Sequence, residues 1–217
     1  KLIPEHYLGC KRPCSDTGYY STFNQENVTL VDSREEPIIA FSKNGIVTNL
    51  QEYKLDSVVF ATGFDAMTGS LDKIDIRGKN DLPLRKKWKA GPKTYLGLGT
   101  AGFPNFFIIT GPGSPSVLAN MVVGIEHHVD WIGNCIEHLE LNNCRQIEAE
   151  PDAETEWVKH VNAVASRTLY TACNNWYLGA NIPGKPRVFM PYIGGFPKYA
   201  RKCKEIVEEG YTGFKIS

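Results

Sequence analysis

The chain has 217 residues, of which 42% are hydrophobic and 22% are charged, the proportions of an ordinary globular protein. Lys plus Arg and Asp plus Glu both number 24, so no excess charge favours nucleic acid or an anionic membrane as a partner. No stretch approaches the ~20 apolar residues that a membrane helix requires.

The first sixty residues contain short β-branched or aromatic runs separated by polar turns, at 28–31, 37–41, 46–48 and 57–60. No helix intervenes, so we expect a meander of strands. The last run, which we expect to be buried, leads into Ala61-Thr62-Gly63. Small residues at the carboxyl end of a strand let the backbone approach a large flat group, which hints at a dinucleotide cofactor. A strand that enters a tight turn explains the pattern equally well.

The polar segment 68–91 carries the basic run Arg85-Lys86-Lys87, which we expect to be solvated. Residues 105–110 predict a second buried strand. A long helix follows, with Ser114 or Ser116 as its cap and one core-facing stripe, which comprises Leu118, Met121, Val122, Ile125, Val129, Ile132, Ile136 and Leu139. We expect His127 and His128 to lie at the surface or at the boundary of this stripe.

Two further helices are predicted towards the end of the chain. One begins at Pro151, with Asp152 and Glu154 in its acidic first turn. Its apolar stripe comprises Trp157, Val158, Val161, Val164 and Leu169. The other spans about residues 197–209 and ends at Gly210, as is typical of a C-terminal glycine.

Two matches to phosphate-binding patterns are rejected on context. Residues 97–102 fit G-x-G-x-x-G, but a strand is predicted after them where the dinucleotide fingerprint needs a helix. Residues 179–185 fit the start of a P-loop, yet Pro186 replaces its hydroxyl residue and Pro183 removes an amide from the cradle. A Gly/Pro-rich loop remains, and such loops often carry function.

The six cysteines predict free thiols in a reducing, cytoplasmic compartment, because no signal peptide stands at the start. His6, Cys10 and Cys14 are evenly spaced, but no second Cys/His pair completes a tetrahedral site, so no metal is expected. The sequence opens on Lys1 and its first methionine is Met67. We therefore expect it to begin inside a longer protein.

Several longer blocks are similar to signatures of one family. They are Leu-Gly-Cys-Lys-Arg-Pro at 8–13, Phe-Ala-Thr-Gly-Phe-Asp-Ala-Met-Thr-Gly at 60–69, Asp-Ile-Arg-Gly at 75–78, Thr-Tyr-Leu-Gly at 94–97, Gly-Pro-Gly-Ser-Pro-Ser at 111–116 and Trp-Tyr-Leu-Gly-Ala-Asn-Ile-Pro-Gly-Lys at 176–185. In this order they resemble the C-terminal portion of the type I Baeyer–Villiger monooxygenases, the phenylacetone and cyclohexanone monooxygenase group.

The resemblance implies an α/β flavoprotein with two Rossmann-like dinucleotide-binding domains, here as its C-terminal portion, and a helical C-terminal region. Residues 1–56 would be the returning part of the NADP-binding domain. Residues 57–217 would complete the FAD-binding domain with a helical substrate-side region. Members of this family use NADPH, FAD and O2 to insert one oxygen atom next to a ketone carbonyl, which gives an ester or lactone.

Residue roles follow where the motifs match. Arg12 would be the catalytic arginine and also a cofactor-binding residue, since a guanidinium is a permanent cation that can stabilise an oxyanion. Lys11, the neighbour of Arg12 in the sequence, would bind the phosphate of NADPH. The other matched positions divide into cofactor-binding residues (Thr62, Gly63, Met121 and the loop residue Trp176) and ketone-pocket residues (Ser116, Val117 and Leu118).

Other features of the family are absent from the chain: two G-x-G-x-x-G loops in strand–helix context, the F-x-G-x-x-x-H-x-x-x-W fingerprint and the acidic partner of the arginine. We expect them in an N-terminal half that precedes Lys1, so the chain by itself is expected to be inactive. Two alternatives stay open. One is a flavin-dependent N- or S-hydroxylating monooxygenase, and the other is a non-catalytic module derived from such an enzyme.

Overall fold

The protein divides into two compact units in a computed structural model that describes residues 1–217. The small unit comprises residues 1–5 and 12–63, and the large unit comprises residues 6–11 and 64–217. The helices are α1 (Tyr19–Thr22), α2 (Gly69–Asp72), α3 (Leu84–Lys87), α4 (Met121–Leu141), α5 (Pro151–Ala165) and α6 (Phe196–Glu208). The strands are β1 (Ile38–Ser42), β2 (Gly45–Thr48), β3 (Glu52–Lys54), β4 (Ile147–Ala149) and β5 (Phe214–Ile216). The presence of both helices and strands confirms the predicted α/β fold. No membrane-spanning helix is found, because every helix is too short or too polar.

The small unit contains the predicted meander. Strands β1, β2 and β3 pair antiparallel in sequence order, with Phe41 opposite Ile46 and Ile46 opposite Tyr53. Residues 28–31 and 57–60 form no strand, so those two predictions are wrong. Val59 and Phe60 are 87% and 67% exposed. A strand needs a neighbour to bond its backbone, and the sheet of the small unit ends at β3.

The large unit is built around one aromatic-rich core. Strands β4 and β5 pair antiparallel beside it, with Ile147 opposite Ile216. The core is lined by α4, α5 and α6 and includes Tyr95, Leu96, Leu98, Trp131, Cys135, Trp157, Val161, Tyr199, Cys203, Ile206, Tyr211 and Phe214. The predicted start of α5 at Pro151 and the predicted end of α6 are confirmed, since Gly210 follows α6 in the left-handed region, at φ 74°. Leu169 was predicted in the buried stripe of α5, but it lies beyond the end of that helix and is exposed, so this part of the prediction is wrong.

Helix α4 forms where predicted but presents a different face to the core. Its buried residues are His128, Trp131, Cys135 and Leu139. The exposed stripe consists of Val122 (62% exposed), Ile125 (39%), Val129 (49%) and Ile136 (47%). The cap is Asn120, whose side chain accepts from the amides of the first turn, and not Ser114 or Ser116. The predicted stripe is therefore right for Leu139, which is buried, and for Ile132, which packs on the core, but wrong for these four exposed residues. The prediction that His128 lies at the surface or at the boundary of the stripe is also wrong.

Two other sequence predictions for the large unit are also wrong. Residues 105–110 form turns instead of a strand, and they bond to the rest of the unit through single contacts such as Asn105 N–H to the Ile147 carbonyl (2.9 Å). The basic run is not wholly solvated. Lys87, at the end of α3, lies 2.8 Å from the buried carboxylate of Glu154.

Candidate functional site

A cavity of about 470 Å³ in the large unit brings several predicted site residues together. Ser116, Val117 and Met121 line its wall beside Met67 and residues 107–111. The Ser116 hydroxyl donates to the Met67 sulfur at 3.7 Å. Leu118 is not part of this wall. It packs instead on the buried cluster of Ala165, Tyr177 and Phe189.

The segment that leads into Ser116 is held rigidly by the core. Gly113 has a φ of 88°, and a β-carbon there would lie 2.8 Å from the Thr94 hydroxyl oxygen. The Trp157 indole N–H donates to the Gly113 carbonyl at 3.0 Å, and Gly113 N–H donates to Met190 O at 2.6 Å. This explains the glycine in the Gly-Pro-Gly-Ser-Pro-Ser block: no larger residue fits the close approach.

His128 fixes the backbone of Thr110, one of the residues that line the cavity. Thr110 N–H donates to His128 Nδ1 at 2.8 Å, so this nitrogen must be unprotonated. The opposite nitrogen, Nε2, lies 2.8 Å from the Tyr199 hydroxyl, which itself donates to the Leu96 carbonyl at 2.6 Å. The Tyr199 oxygen is therefore the acceptor, and the proton of His128 lies on Nε2. Burial lowers the pKa of His128 to about 4, because the charged ring would lose its hydration, and nearby His127 adds to the effect.

Trp176 begins a single 3₁₀ turn, Trp176–Leu178, that is capped by Asn175. Its half-buried indole contacts Tyr177, with ring centroids 4.1 Å apart. It packs on the Ala165–Tyr177–Phe189 cluster, as Val117 and Leu118 do. The predicted cofactor loop and the predicted ketone-pocket segment thus share one hydrophobic support.

The Gly/Pro-rich loop after Trp176 is closed by charged side chains. Lys185 forms an ion pair with Asp65, and Asn181 donates to the Phe64 carbonyl at 2.9 Å. Arg187 donates to the carbonyls of Gly179 and Lys185, both at 3.0 Å. The loop therefore has a defined shape and is fastened to the residues that directly follow Gly63.

The remaining predicted residues are exposed to solvent. Lys11 lies in the large unit, whereas Arg12, Thr62 and Gly63 lie in the small unit. Gly63 has a φ of 85° and no atom within 4 Å of where its β-carbon would be. A flat group could therefore approach its backbone without obstruction.

The prediction that all cysteines are free is wrong. Cys10 and Cys173 form a disulfide, with their α-carbons 6.0 Å apart. The reason lies in the fold: the large unit brings together two segments that are 163 residues apart in the sequence. Cys14, Cys135, Cys144 and Cys203 are free thiols.

Sequence reasoning missed three further contributors. His128 was masked by the stronger Val/Ile pattern beside it. The Asp65–Lys185 pair and Asn175 are separated from their partners by more than a hundred residues. The available signal was local: Asp65 lies within the block 60–69 and Asn175 directly precedes the block 176–185, and both blocks resemble family signatures.

Comparisons with known proteins extend this description. No protein-family model matches the chain. It is 39% identical over 217 residues to a cyclohexanone 1,2-monooxygenase of Acinetobacter sp, covering all of this chain and 39% of that protein. It is 40% identical over 213 residues to a Baeyer–Villiger monooxygenase of Pseudooceanicola batsensis, covering 98% of this chain and 38% of that protein.

Solved structures agree with these relatives. A steroid monooxygenase bound to NADP superposes with a TM-score of 0.90 at 50% identity, covering 98% of this chain and 39% of the other. OTEMO in complex with FAD and NADP superposes with a TM-score of 0.92 at 40% identity, covering 100% and 40%. The fold is therefore that of the matching portion of these monooxygenase structures. The chain is a relative of the Baeyer–Villiger monooxygenases and spans about two fifths of their length.

Proposed function

We propose that the protein is an FAD- and NADPH-dependent monooxygenase that inserts one atom of O2 next to a ketone carbonyl, giving an ester or lactone. The observation that carries the proposal is the shared support of Trp176 and of Val117 and Leu118. A loop proposed to cover the nicotinamide cofactor and a wall proposed to line the ketone pocket rest on one buried cluster. Neighbouring structures that contain FAD and NADP support the cofactor assignment.

The residues present fit parts of both cofactor sites. The open space above Gly63 suits a flat ring system against bare backbone. The exposed ammonium of Lys11 suits a phosphate, and the indole N–H of Trp176 can donate to a nucleotide. When bound, NADPH supplies hydride and FAD supplies the redox chemistry that activates O2.

The side chains of this protein stabilise and orient the substrate, whereas the cofactors supply the redox chemistry. Arg12 stabilises the oxyanion that develops on the ketone oxygen, since its guanidinium is charged at every working pH. Ser116 and Val117 orient the ketone from the cavity wall, and Leu118 anchors this segment on the buried cluster. Met121 faces the flavin from the first turn of α4. His128 holds the Thr110 backbone in the cavity wall and keeps its single proton on Nε2.

The proposed partner of the chain is the N-terminal half of the same protein, which would carry the two dinucleotide loops. The two-fifths coverage of the relatives supports this assignment. The cytoplasmic location remains a prediction.

The test uses the polypeptide as its gene encodes it, with FAD, NADPH, O2 and cyclohexanone as the probe ketone. NADPH oxidation is followed by absorbance and the lactone by gas chromatography with mass detection. Arg12→Ala should abolish lactone formation while reduction of the flavin by NADPH continues. The control is Arg34→Ala, an exposed arginine paired with Asp32, which should leave both rates unchanged. Ketone oxidation that persists in Arg12→Ala would overturn the role of Arg12. Failure to retain FAD would favour the non-catalytic alternative.

A second candidate is N-oxygenation. A phenazine N-monooxygenase of Lysobacter antibioticus is 39% identical over 215 residues, covering 99% of this chain and 39% of that protein. The same reaction mixture with phenazine in place of cyclohexanone separates the two functions. Formation of the N-oxide without any lactone would favour this candidate.

A further inference from the structure

The Cys10–Cys173 disulfide connects the two segments that carry the proposed nicotinamide-binding residues of the large unit. Cys10 directly precedes Lys11, and Cys173 lies three residues before Trp176. The α-carbons are 6.0 Å apart, inside the range in which two cysteines can be joined and separated without moving the backbone. Oxidation or reduction of this pair therefore acts directly on the spacing of these segments.

A second link, made of hydrogen bonds, joins the same two segments as the disulfide. The side-chain amide of Asn175, 4% exposed, donates to the Cys10 carbonyl at 3.0 Å and to the Tyr170 carbonyl at 2.6 Å. Its oxygen accepts from Leu178 N–H at 3.2 Å and so caps the Trp176 turn. Without the disulfide these hydrogen bonds still align the two segments, but each is weak enough to open transiently. The two segments thus have the same arrangement in both redox states, but they separate less often when the disulfide is formed.

The other thiols do not offer an equivalent pair. Cys135 and Cys203 are buried in the core, each 0% exposed, and burial raises the pKa of Cys135 to about 11 and that of Cys203 to about 12. Thiols held protonated in this way react poorly, because the thiolate is the nucleophile. Cys14 is exposed and Cys144 is half-buried, and neither is paired with another cysteine in the structure. Cys10 and Cys173 are the cysteines that the fold joins in a disulfide.

We propose that Cys10 and Cys173 form a reversible redox site whose disulfide clamps the Trp176 turn to the segment that ends in Lys11. Cys173 is half-buried whereas Cys10 is 0% exposed, so a reductant reaches the Cys173 sulfur first. The reductant is a dithiol. One of its thiolates attacks Cys173 Sγ, the S–S bond breaks and Cys10 leaves as a thiolate that takes up a proton. The second thiol of the reductant then displaces Cys173, which leaves two protein thiols and an oxidised dithiol.

The reverse step uses a hydroperoxide as oxidant. One thiolate attacks a peroxide oxygen to give a sulfenic acid and, from hydrogen peroxide, one water. The partner thiol then displaces the second water and closes the S–S bond. Two thiols and one hydrogen peroxide thus give one disulfide and two waters. The clamp is proposed independently of the monooxygenase function; only the assignment of Lys11 and Trp176 to the nicotinamide cofactor rests on that function.

The experiment titrates the protein with dithiothreitol and then with hydrogen peroxide. Thiols are alkylated under denaturing conditions and counted by mass spectrometry on the peptides of residues 1–217 alone, and amide hydrogen exchange is measured over residues 168–178. The oxidised protein should show four reactive thiols, the number of free cysteines in the structure, and a Cys10–Cys173 cross-linked peptide. Reduction should expose two more thiols and speed exchange in this segment about tenfold, since a released segment opens more often.

Two variants complete the test. Cys173→Ser should exchange like the reduced protein in both dithiothreitol and peroxide. Cys14→Ser, which removes an exposed thiol close to Cys10 in the sequence, should retain the redox response. Should Cys173→Ser fail to fold, the titration of the unaltered protein gives the same comparison. Six reactive thiols after peroxide, a cross-link of Cys10 to Cys14, or equal exchange in both redox states would overturn the proposal. None of these readouts depends on oxygenation, so the proposed function can fail without affecting the clamp.

Discussion

Replacing His128 by glutamine should remove a pH dependence of stability that the buried imidazole creates. In the native state His128 is neutral because Thr110 N–H occupies Nδ1, and its pKa is lowered to about 4. In the unfolded chain the ordinary histidine pKa of ~6.5 applies. The unfolded state therefore binds the proton more readily. The contribution of His128 is present in full above pH ~6.5 and is lost as the pH falls towards about 4.

The magnitude follows from the two pKa values. Between about pH 7.5 and about pH 5 the loss amounts to about 2 kcal/mol, and below both pKa values it reaches about 3 kcal/mol. His128→Gln keeps an acceptor for Thr110 N–H and a donor for the Tyr199 hydroxyl but cannot take up a proton. The unfolding free energy of the unaltered protein, minus that of His128→Gln, should therefore fall by about 2 kcal/mol when the pH is lowered from about pH 7.5 to about pH 5.

The assay is urea unfolding, followed by tryptophan fluorescence, of both proteins at several pH values. The other titratable groups are common to the two proteins, so their contributions to the pH dependence of stability cancel in the comparison. Parallel stability profiles for the two proteins would refute the reasoning, because they would mean that His128 binds protons equally in the folded and unfolded states.

Two further predictions use matched pairs of substitutions and the same unfolding assay. Glu154→Ala should destabilise the protein by about 3 kcal/mol, because it leaves the ammonium of Lys87 buried without its carboxylate, whereas Glu156→Ala on the exposed side of α5 should change stability by less than about 0.5 kcal/mol. Similar values for the two variants would contradict the assigned ion pair. Gly113→Ala should destabilise by at least about 2 kcal/mol, through its left-handed φ and the close contact in the core. Gly133→Ala, in the open middle of α4, should instead stabilise by about 0.5–1 kcal/mol, and a stable Gly113→Ala would refute the tight-turn explanation.

The sequence predicted the helices better than it predicted their orientation. The spacing of apolar residues is enough to locate α4, α5 and α6, because the helical period is local. Which face of α4 is buried is decided by partners that are distant in the sequence. His128 is offset by one residue, about 100° around the helix, from Val129. It is buried because both of its ring nitrogens find partners, on residues 110 and 199. Hydrophobicity alone cannot anticipate this.

The strands and the site likewise depend on contacts between distant parts of the sequence, which local patterns do not predict. Residues 57–60 have the composition of a strand, but a strand forms only beside a neighbour that bonds its backbone. For the site, the resemblance pointed to the segment 111–118 and to Trp176, whose roles stay predictions. It could not foresee that one buried cluster supports both, or that a disulfide and Asn175 join Trp176 to the Cys10 segment, because these contacts connect distant parts of the sequence.

The exposed stripe of α4 has a consequence for how the protein behaves at high concentration. Four branched aliphatic side chains, Val122, Ile125, Val129 and Ile136, lie in water along one side of this helix. Attraction between such surfaces weakens on cooling and strengthens in sulfate or phosphate. We therefore expect concentrated solutions to become turbid on warming and in ammonium sulfate, and to clear again when chilled or diluted into chloride.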